Sequence, residues 1–116
     1  MKPRTKLFIS TDAVEGVFGE GKWRLLGAIK KEGSIQKAAL SLGRGYRKAW
    51  GDIKLAEKGL GRKMVETGRG GASGGSAVLT GFSEDLLKAW GAYRTEIFRQ
   101  SDKAFEKYLK RLLKEK

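Results

Sequence analysis

The sequence contains no cysteine and no histidine, and these two absences exclude several kinds of chemistry. Without thiols and imidazoles, disulfide bonds cannot form, and zinc and iron–sulfur sites lose their usual ligands. Nucleophilic catalysis by Cys–His or Ser–His–Asp arrangements is excluded for the same reason. No constellation of carboxylates replaces them. We therefore expect a protein that is not an enzyme and that holds no metal and no cofactor.

Long apolar runs are also missing. No segment approaches the roughly 20 apolar residues that a membrane-spanning helix needs, and the N-terminus lacks the apolar core of a signal peptide. We therefore expect no membrane association and a cytoplasmic location.

Acidic residues are scarce relative to basic ones. The chain carries 25 Lys and Arg against 13 Asp and Glu, for a net charge of +12. Residues 22–63 alone contain twelve basic and three acidic side chains. A basic surface without a partner would explain the net charge, but its concentration in one segment favours a binding face for nucleic acid. A nucleoid-associated protein is the expectation.

The spacing of apolar residues predicts the first half of the fold. It indicates a short strand at residues 6–10 and helices at residues 20–32, 35–42 and 44–58. Gly33 ends the first helix, Ser34 caps the second, and Gly59 and Gly61 close the third.

The second half is predicted as a hairpin followed by one long helix. Strands at residues 63–67 and 77–80 flank a glycine-rich loop. Residues 82–113 lack proline and repeat apolar side chains every three or four positions, with Ser83 as the cap and a break near Gln100 left open. This order predicts a winged helix-turn-helix, mainly α with a small β-hairpin wing. Residues 1–81 would form the DNA-binding domain and residues 82–116 a dimerisation helix.

The third helix carries the strongest functional signal. Trp50 and Ile53 belong to its apolar face, whereas its opposite face is cationic, and Tyr46 fits either side. A helix fits the major groove of DNA, where Arg and Lys bind guanine edges. A solvated basic face is the alternative, which the preceding helix and tight turn make less attractive. The predicted DNA contacts of this helix are Arg44, Tyr46, Arg47, Lys48 and Lys54.

Two further segments are candidates for contacts with the DNA backbone. The start of the second helix offers Ser34, Gln36 and Lys37, and a helix N-terminus suits a phosphate. Plain capping by Ser34 is the alternative, and both roles are compatible. The wing offers Lys63, Arg69 and Ser73 among glycines that allow close approach to a phosphate or a minor groove. The alternative is a hairpin tip that is disordered until DNA binds.

The long final helix needs a partner for its apolar side chains. Pairing with a second copy of the chain would cover them, and the alternative is packing onto the helix's own domain. The predicted dimerisation residues are Leu86, Trp90, Tyr93, Ile97, Phe105 and Tyr108.

One motif imitates a nucleotide-binding loop. Gly16, Gly21 and Lys22 have the spacing of a phosphate-binding loop, but Trp23 stands where that loop needs a hydroxyl for Mg²⁺. We interpret the motif as the turn that leads into the first helix.

A set of short motifs runs through residues 5–90. They are Gly19-Glu20-Gly21-Lys22, Leu25-Leu26, Ile29, Gly33-Ser34-Ile35, Ala38-Ala39, Tyr46-Arg47-x-Ala49-Trp50, Leu60-Gly61, Val65-Glu66, Gly70-Gly71, Gly74-Gly75 and Ala77-Val78-Leu79-Thr80. Taken together, these residues resemble the N-terminal DNA-binding domain of ModE-type molybdate-responsive regulators. LysR-type regulators share the helix-turn-helix, but not the Tyr-x-x-Ala-Trp motif or the wing with two double glycines.

The resemblance implies a dimeric transcription factor with operator contacts at Ser34, Gln36, Arg44, Tyr46 and Arg47. The chain departs from the family at Gly45, where the family usually has Ser, and at Ala72-Ser73, where it usually has a basic residue. The sequence ends at Lys116, before the family's molybdate-binding domains. We therefore expect no molybdate binding by these residues.

The expected function is that of a homodimeric regulator that binds specific double-stranded DNA. A sequence-independent chromatin or architectural protein would use the same basic surface without reading bases. A protein-interaction module acting through the long helix is a third possibility, and it would bind no DNA.

Overall fold

The computed structural model describes residues 1–68 and 75–114, which contain four helices and four short strands. Apart from one additional short strand before the first helix, the order is that predicted from the sequence, and the fold is a winged helix-turn-helix, mainly α with a small β-hairpin. The elements are β1 (Phe8–Ile9), β2 (Phe18–Gly19), α1 (Glu20–Glu32), α2 (Ile35–Ser41), α3 (Tyr46–Leu60), β3 (Val65–Thr67), β4 (Ala77–Leu79) and α4 (Gly81–Tyr108).

The N-terminal segment forms a small antiparallel hairpin in front of α1. Phe8 lies opposite Gly19, and Ile9 lies opposite Phe18. The predicted strand over residues 6–10 is reduced to two residues, and its partner β2 was not predicted. A Cβ on Gly19 would lie 3.0 Å from the carbonyl oxygen of Leu7, so glycine permits this close pairing.

Glycines in the left-handed region end two of the helices. Gly33 follows α1 with a φ of 75°, and Gly61 follows α3 with a φ of 66°. The bounds of α1 agree with the prediction. Helix α3 begins two residues later than predicted, because Gly43 turns the chain with a φ of 67° and Gly45 is an extended N-cap.

The core lies between the three short helices, the base of the wing and the first half of α4. Helix α3 approaches the N-terminal loop so closely that a Cβ on Gly59 would collide with Cγ2 of Val17. The buried apolar residues are Val17, Phe18, Leu25, Leu26, Ile29, Ile35, Ala38, Ala39, Ala49, Ile53, Ala56, Met64, Val65, Ala77, Leu79 and Trp90.

The wing is an antiparallel pair of three-residue strands joined to the body by backbone hydrogen bonds. Val65 of β3 lies opposite Leu79 of β4. The amide of Ala77 donates to the carbonyl of Gly33 at 2.9 Å. The structure therefore confirms the predicted hairpin at its base, while the tip, residues 69–74, lies outside the described residues.

Helix α4 begins with a different cap from the one predicted. Thr80 is the N-cap, and its hydroxyl oxygen accepts a hydrogen bond from the amide of Ser83 at 3.2 Å. Ser83 is buried, and its own hydroxyl donates to the carbonyl of Met64 at 2.7 Å. The assignment of Ser83 as the cap was wrong, because its hydroxyl is hydrogen-bonded to the residue that precedes strand β3 of the wing. The helix continues without a break through Gln100 and ends at Tyr108, short of the predicted residue 113.

The first half of α4 is clamped onto α1. The carboxylate of Glu20 accepts from Nε1 of Trp90 at 2.5 Å and from Nε of Arg94 at 2.7 Å. The indole of Trp23 donates to the carbonyl of Leu87 at 3.0 Å. The second half projects, so the molecule measures 59 Å along its longest axis against 31 and 21 Å across. The division into a domain of residues 1–81 and a helix of residues 82–116 stays a prediction.

Within residues 1–68 and 75–114, no helix combines the length and apolar character that a membrane span requires. The same residues contain no group of three or more acidic side chains placed to hold a metal ion.

Candidate nucleic-acid interface

Helix α3 separates an apolar inner face from a cationic outer face. Ala49, Ile53 and Ala56 are buried in the core. Arg47, Lys48, Lys54 and Lys58 are all exposed. The side chain of Lys48 lies 3.6 Å from Asp52, and that of Lys54 lies 3.4 Å from Glu57. Both ammonium groups are exposed to solvent while the carboxylates are largely covered, so another anion can reach the lysines.

Arg44 does not belong to α3, contrary to the prediction from the sequence. It precedes the N-cap Gly45, and its guanidinium Nη1 donates to the carbonyl of Gly21 at 3.0 Å. Its amide donates to the carbonyl of Ala39 at 2.9 Å. Arg44 thus ties the turn between α2 and α3 to the start of α1. A contact between Arg44 and DNA stays a prediction.

Two aromatic residues lie on the flank of α3 that faces the wing. Trp50, predicted to point into the core, is only half buried, and Tyr46 is 42% exposed. The indole Nε1 of Trp50 donates to the hydroxyl of Tyr46 at 2.6 Å. Nζ of Lys54 lies 5.0 Å from the centroid of the Trp50 ring. The helix therefore presents a fixed aromatic pair beside its cations. A cleft of about 160 Å³ separates this pair from Thr67, Gly68 and Gly75–Ala77 at the base of the wing and from Ile35 of α2.

The start of α2 lies on the same side as the wing. Ser34 is 4% exposed, and its hydroxyl oxygen accepts from the amide of Lys37 at 3.0 Å, so the capping role is confirmed. The side chain of Ser34 is therefore not available for a direct contact with DNA, and its role is to cap the helix. Gln36 and Lys37 are exposed, as a backbone contact requires.

The described part of the wing contributes one predicted contact residue. Lys63 is exposed, and its Nζ lies 3.3 Å from the carboxylate of Glu66. The two other predicted wing residues, Arg69 and Ser73, lie outside the described residues.

A second cationic surface was not predicted from the sequence. A cleft of about 800 Å³ lies beside the first turns of α3, bounded by the N-terminal segment and the start of α1. We call it the basic cleft. Its basic residues are dispersed over four stretches of the chain, and the sequence motif that resembles a nucleotide-binding loop and ends in Lys22 is only one of them. The cationic residues that line it are Arg4, Lys6, Lys22, Arg24, Arg44, Lys48 and Arg94.

The predicted dimerisation residues of α4 divide into two groups. Trp90 is 4% exposed and its ring lies 5.2 Å from that of Phe18, so it belongs to the chain's own core and not to an exposed face. Leu86 also packs against that core. The alternative of packing onto the domain is therefore correct for the first half of the helix. The residues further along, Tyr93, Ile97, Phe105 and Tyr108, are half buried or exposed.

Comparison with known proteins finds similarity to molybdenum-pterin-binding proteins and to ModE regulators. No family model matches the chain. The molybdenum-pterin-binding protein MopB of Rhodobacter capsulatus is 36% identical over 91 residues, which cover 78% of this chain and 33% of that protein. The transcriptional regulator ModE of Haemophilus influenzae is 31% identical over 87 residues, 74% of this chain and 34% of that protein. The chain thus spans about a third of the length of these relatives.

A solved structure supports the fold. The full-length LTTR LysG from Corynebacterium glutamicum matches with a TM-score of 0.50 at 25% identity, over 72% of this chain and 26% of that chain. The fold assignment therefore rests on this likeness as well as on the order of helices and strands.

Proposed function

The chain is a homologue of the ModE-type regulators, and from this premise we propose that it regulates transcription by binding specific sequences of double-stranded DNA as a homodimer. The wing and helix α3 would contact the DNA, and helix α4 would form the interface between two copies of the chain. Such a protein would act in the cytoplasm, at the nucleoid.

The observation that carries this proposal is the outer face of α3. Arg47 is the second residue of α3 and is exposed. On the inner face of the same helix, Ala49 and Ile53 are 0% and 1% exposed. A helix held this rigidly can enter the major groove without losing its packing. Arg47 then has the reach and the paired donors to bind O6 and N7 of a guanine.

Selection of bound sequences from a random DNA pool tests the proposal, followed by anisotropy titrations with the selected duplex. We expect half-sites about one helical turn apart, ~10 bp, or a multiple of that spacing. With roughly 6–8 phosphate contacts, the slope of log affinity against log salt should be about −5 to −7. Arg47→Ala should relax the base preference by about 1–3 kcal/mol at one position.

The matched control is Lys103→Ala, which removes an exposed cation from α4. It should leave the base preference intact. Equal affinity for selected and random duplexes would instead identify a sequence-independent DNA-binding protein. No salt-dependent binding to any duplex would refute DNA binding altogether.

The homodimer is proposed from the projecting half of α4 and the turn residues that follow it. Tyr108 is 65% exposed and Leu112 is 81% exposed, and Leu109 and Leu113 are also among the exposed apolar residues. Apolar side chains this numerous on one projecting segment are normally covered by a partner. A second copy of the chain is the simplest partner, since a two-fold axis would bring the same face of both helices together.

Molybdenum binding is named for some of the relatives and is not part of the function that we propose for this chain. The chain spans about a third of their length, and we propose no molybdate site in it.

A further inference from the structure

Helix α3 has two flanks, and different surfaces lie along them. Tyr46 and Trp50 line the small cleft at the base of the wing. Lys48 and Asp52 line the basic cleft. Since successive residues of an α-helix are turned by about 100°, the exposed residues Arg47 and Gly51 lie between these two flanks. The wing and the basic cleft are therefore on opposite sides of the face that would enter the groove.

This arrangement matches the geometry of a major groove. The groove is about 12 Å wide, and a helix inside it has a sugar-phosphate backbone on each side. The wing and the start of α2 lie on one side. The amide of Ala77 and the carbonyl of Gly33 join them at 2.9 Å. The backbone on the other side would face the basic cleft.

The charge of the basic cleft suits a phosphodiester. Its two acidic side chains each have a cationic partner, with Glu20 2.7 Å from Arg94 and Asp52 3.6 Å from Lys48. The other basic side chains that line it are therefore not neutralised by acids of the lining. Within the described residues, Lys6 and Arg24 take part in no salt bridge, and both are exposed.

The cleft is also held in place by contacts that survive the loss of those two side chains. Nζ of Lys22 donates to the carbonyl of Gly16 at 3.2 Å, and the guanidinium of Arg44 donates to Gly21. Thr5 and Ser101 form a hydrogen bond of 3.0 Å between their hydroxyls, which ties the N-terminal segment to α4. The cations of four separate segments thus face one space.

We propose that the basic cleft binds the sugar-phosphate backbone of the DNA strand opposite the wing. This inference rests on the proposed function and adds to it a contact surface formed by the N-terminal segment and the start of α1. Its role is affinity and orientation, because phosphate contacts carry no direct information about sequence.

The test uses the double variant Lys6→Gln/Arg24→Gln in the full chain, measured by anisotropy over a salt series. The control Lys88→Gln/Lys103→Gln removes the same charge from exposed positions of α4. Loss of two phosphate contacts should make the salt slope shallower by about 2 and weaken binding at least tenfold near 0.15 M salt. The selected and the random duplex should lose affinity by the same factor. The control should change the slope by less than half a unit.

Two results would overturn the proposal. One is an unchanged slope in the cleft variant while Arg47→Ala still relaxes the base preference; DNA binding would then stand and the cleft would have no part in it. The other is a result in which calorimetry at constant ionic strength detects binding of inorganic phosphate to the wild-type chain. The cleft variant would lose this binding, but the slope of its DNA affinity against salt would not change. The cleft would then be a site for a small anion. A wild-type chain without salt-dependent DNA binding would refute the proposed function itself.

Discussion

The indole N–H of Trp50 donates to the hydroxyl oxygen of Tyr46 at 2.6 Å, one helical turn away on α3. An indole nitrogen is a donor only, so the hydroxyl of Tyr46 must accept in this pair. Its own proton is then free to be donated outward, toward an acceptor such as a phosphate oxygen or a base. Trp50 thereby acts as a positioning residue for Tyr46.

From this pair we expect Trp50→Phe to weaken DNA binding about two- to tenfold, the range that the loss of one orienting hydrogen bond commonly produces. Anisotropy titrations of Trp50→Phe, Tyr46→Phe and the double variant measure the effect. The double variant should lose no more affinity than Tyr46→Phe alone, since both changes remove one shared function. Strictly additive losses would show that the two residues act separately.

The Glu20 carboxylate should be a main anchor of α4. Glu20→Ala leaves the N–H of Trp90 without its acceptor and Arg94 without its ion pair, and it should lower the free energy of unfolding by about 2 kcal/mol. Urea unfolding followed by tryptophan fluorescence measures it. Glu106→Ala removes an exposed ion pair with Lys110 and should cost less than about 0.5 kcal/mol. Equal losses in the two variants would contradict the clamp.

Two glycines within α3 should respond oppositely to the same substitution. Alanine normally stabilises a helix interior by up to about 1 kcal/mol relative to glycine. Gly51→Ala should show this gain, because a Cβ there meets nothing within 4 Å. Gly59→Ala should instead lose about 1–3 kcal/mol, because its Cβ would collide with buried, stiff Val17. Thermal unfolding of both variants gives the comparison, and a gain at Gly59 would show that the N-terminal loop moves freely.

The exposed end of α4 should control the oligomeric state. Tyr108→Glu places a charge on the face that we assign to the partner, and it should weaken self-association at least tenfold in sedimentation equilibrium. Thr95→Glu adds the same charge on the opposite side of the helix, at an exposed position, and should leave association unchanged. A chain that sediments as a monomer at every concentration would refute the homodimer, and equal weakening by both variants would refute the assigned face.

Local signals were sufficient for most of the fold. The glycines that end α1 and α3 act within one turn of chain, and the apolar spacing of each helix is visible in a short window. These signals predicted the order of elements and the bounds of α1. They also placed Arg47 and Lys48 outside and Ile53 inside, because a helix determines its faces from sequence spacing alone.

What the sequence by itself determined is therefore most of the elements and, for α3, the side that it exposes. Only the tertiary structure decided which elements meet. It put Trp90 into the core through Glu20, seventy residues earlier, and moved the cap of α4 to Thr80 because the wing uses Ser83. It also gathered the cations of the basic cleft from segments with no common periodicity. The physical reason is that such contacts join residues far apart in the chain, and no local pattern of side chains specifies their partners.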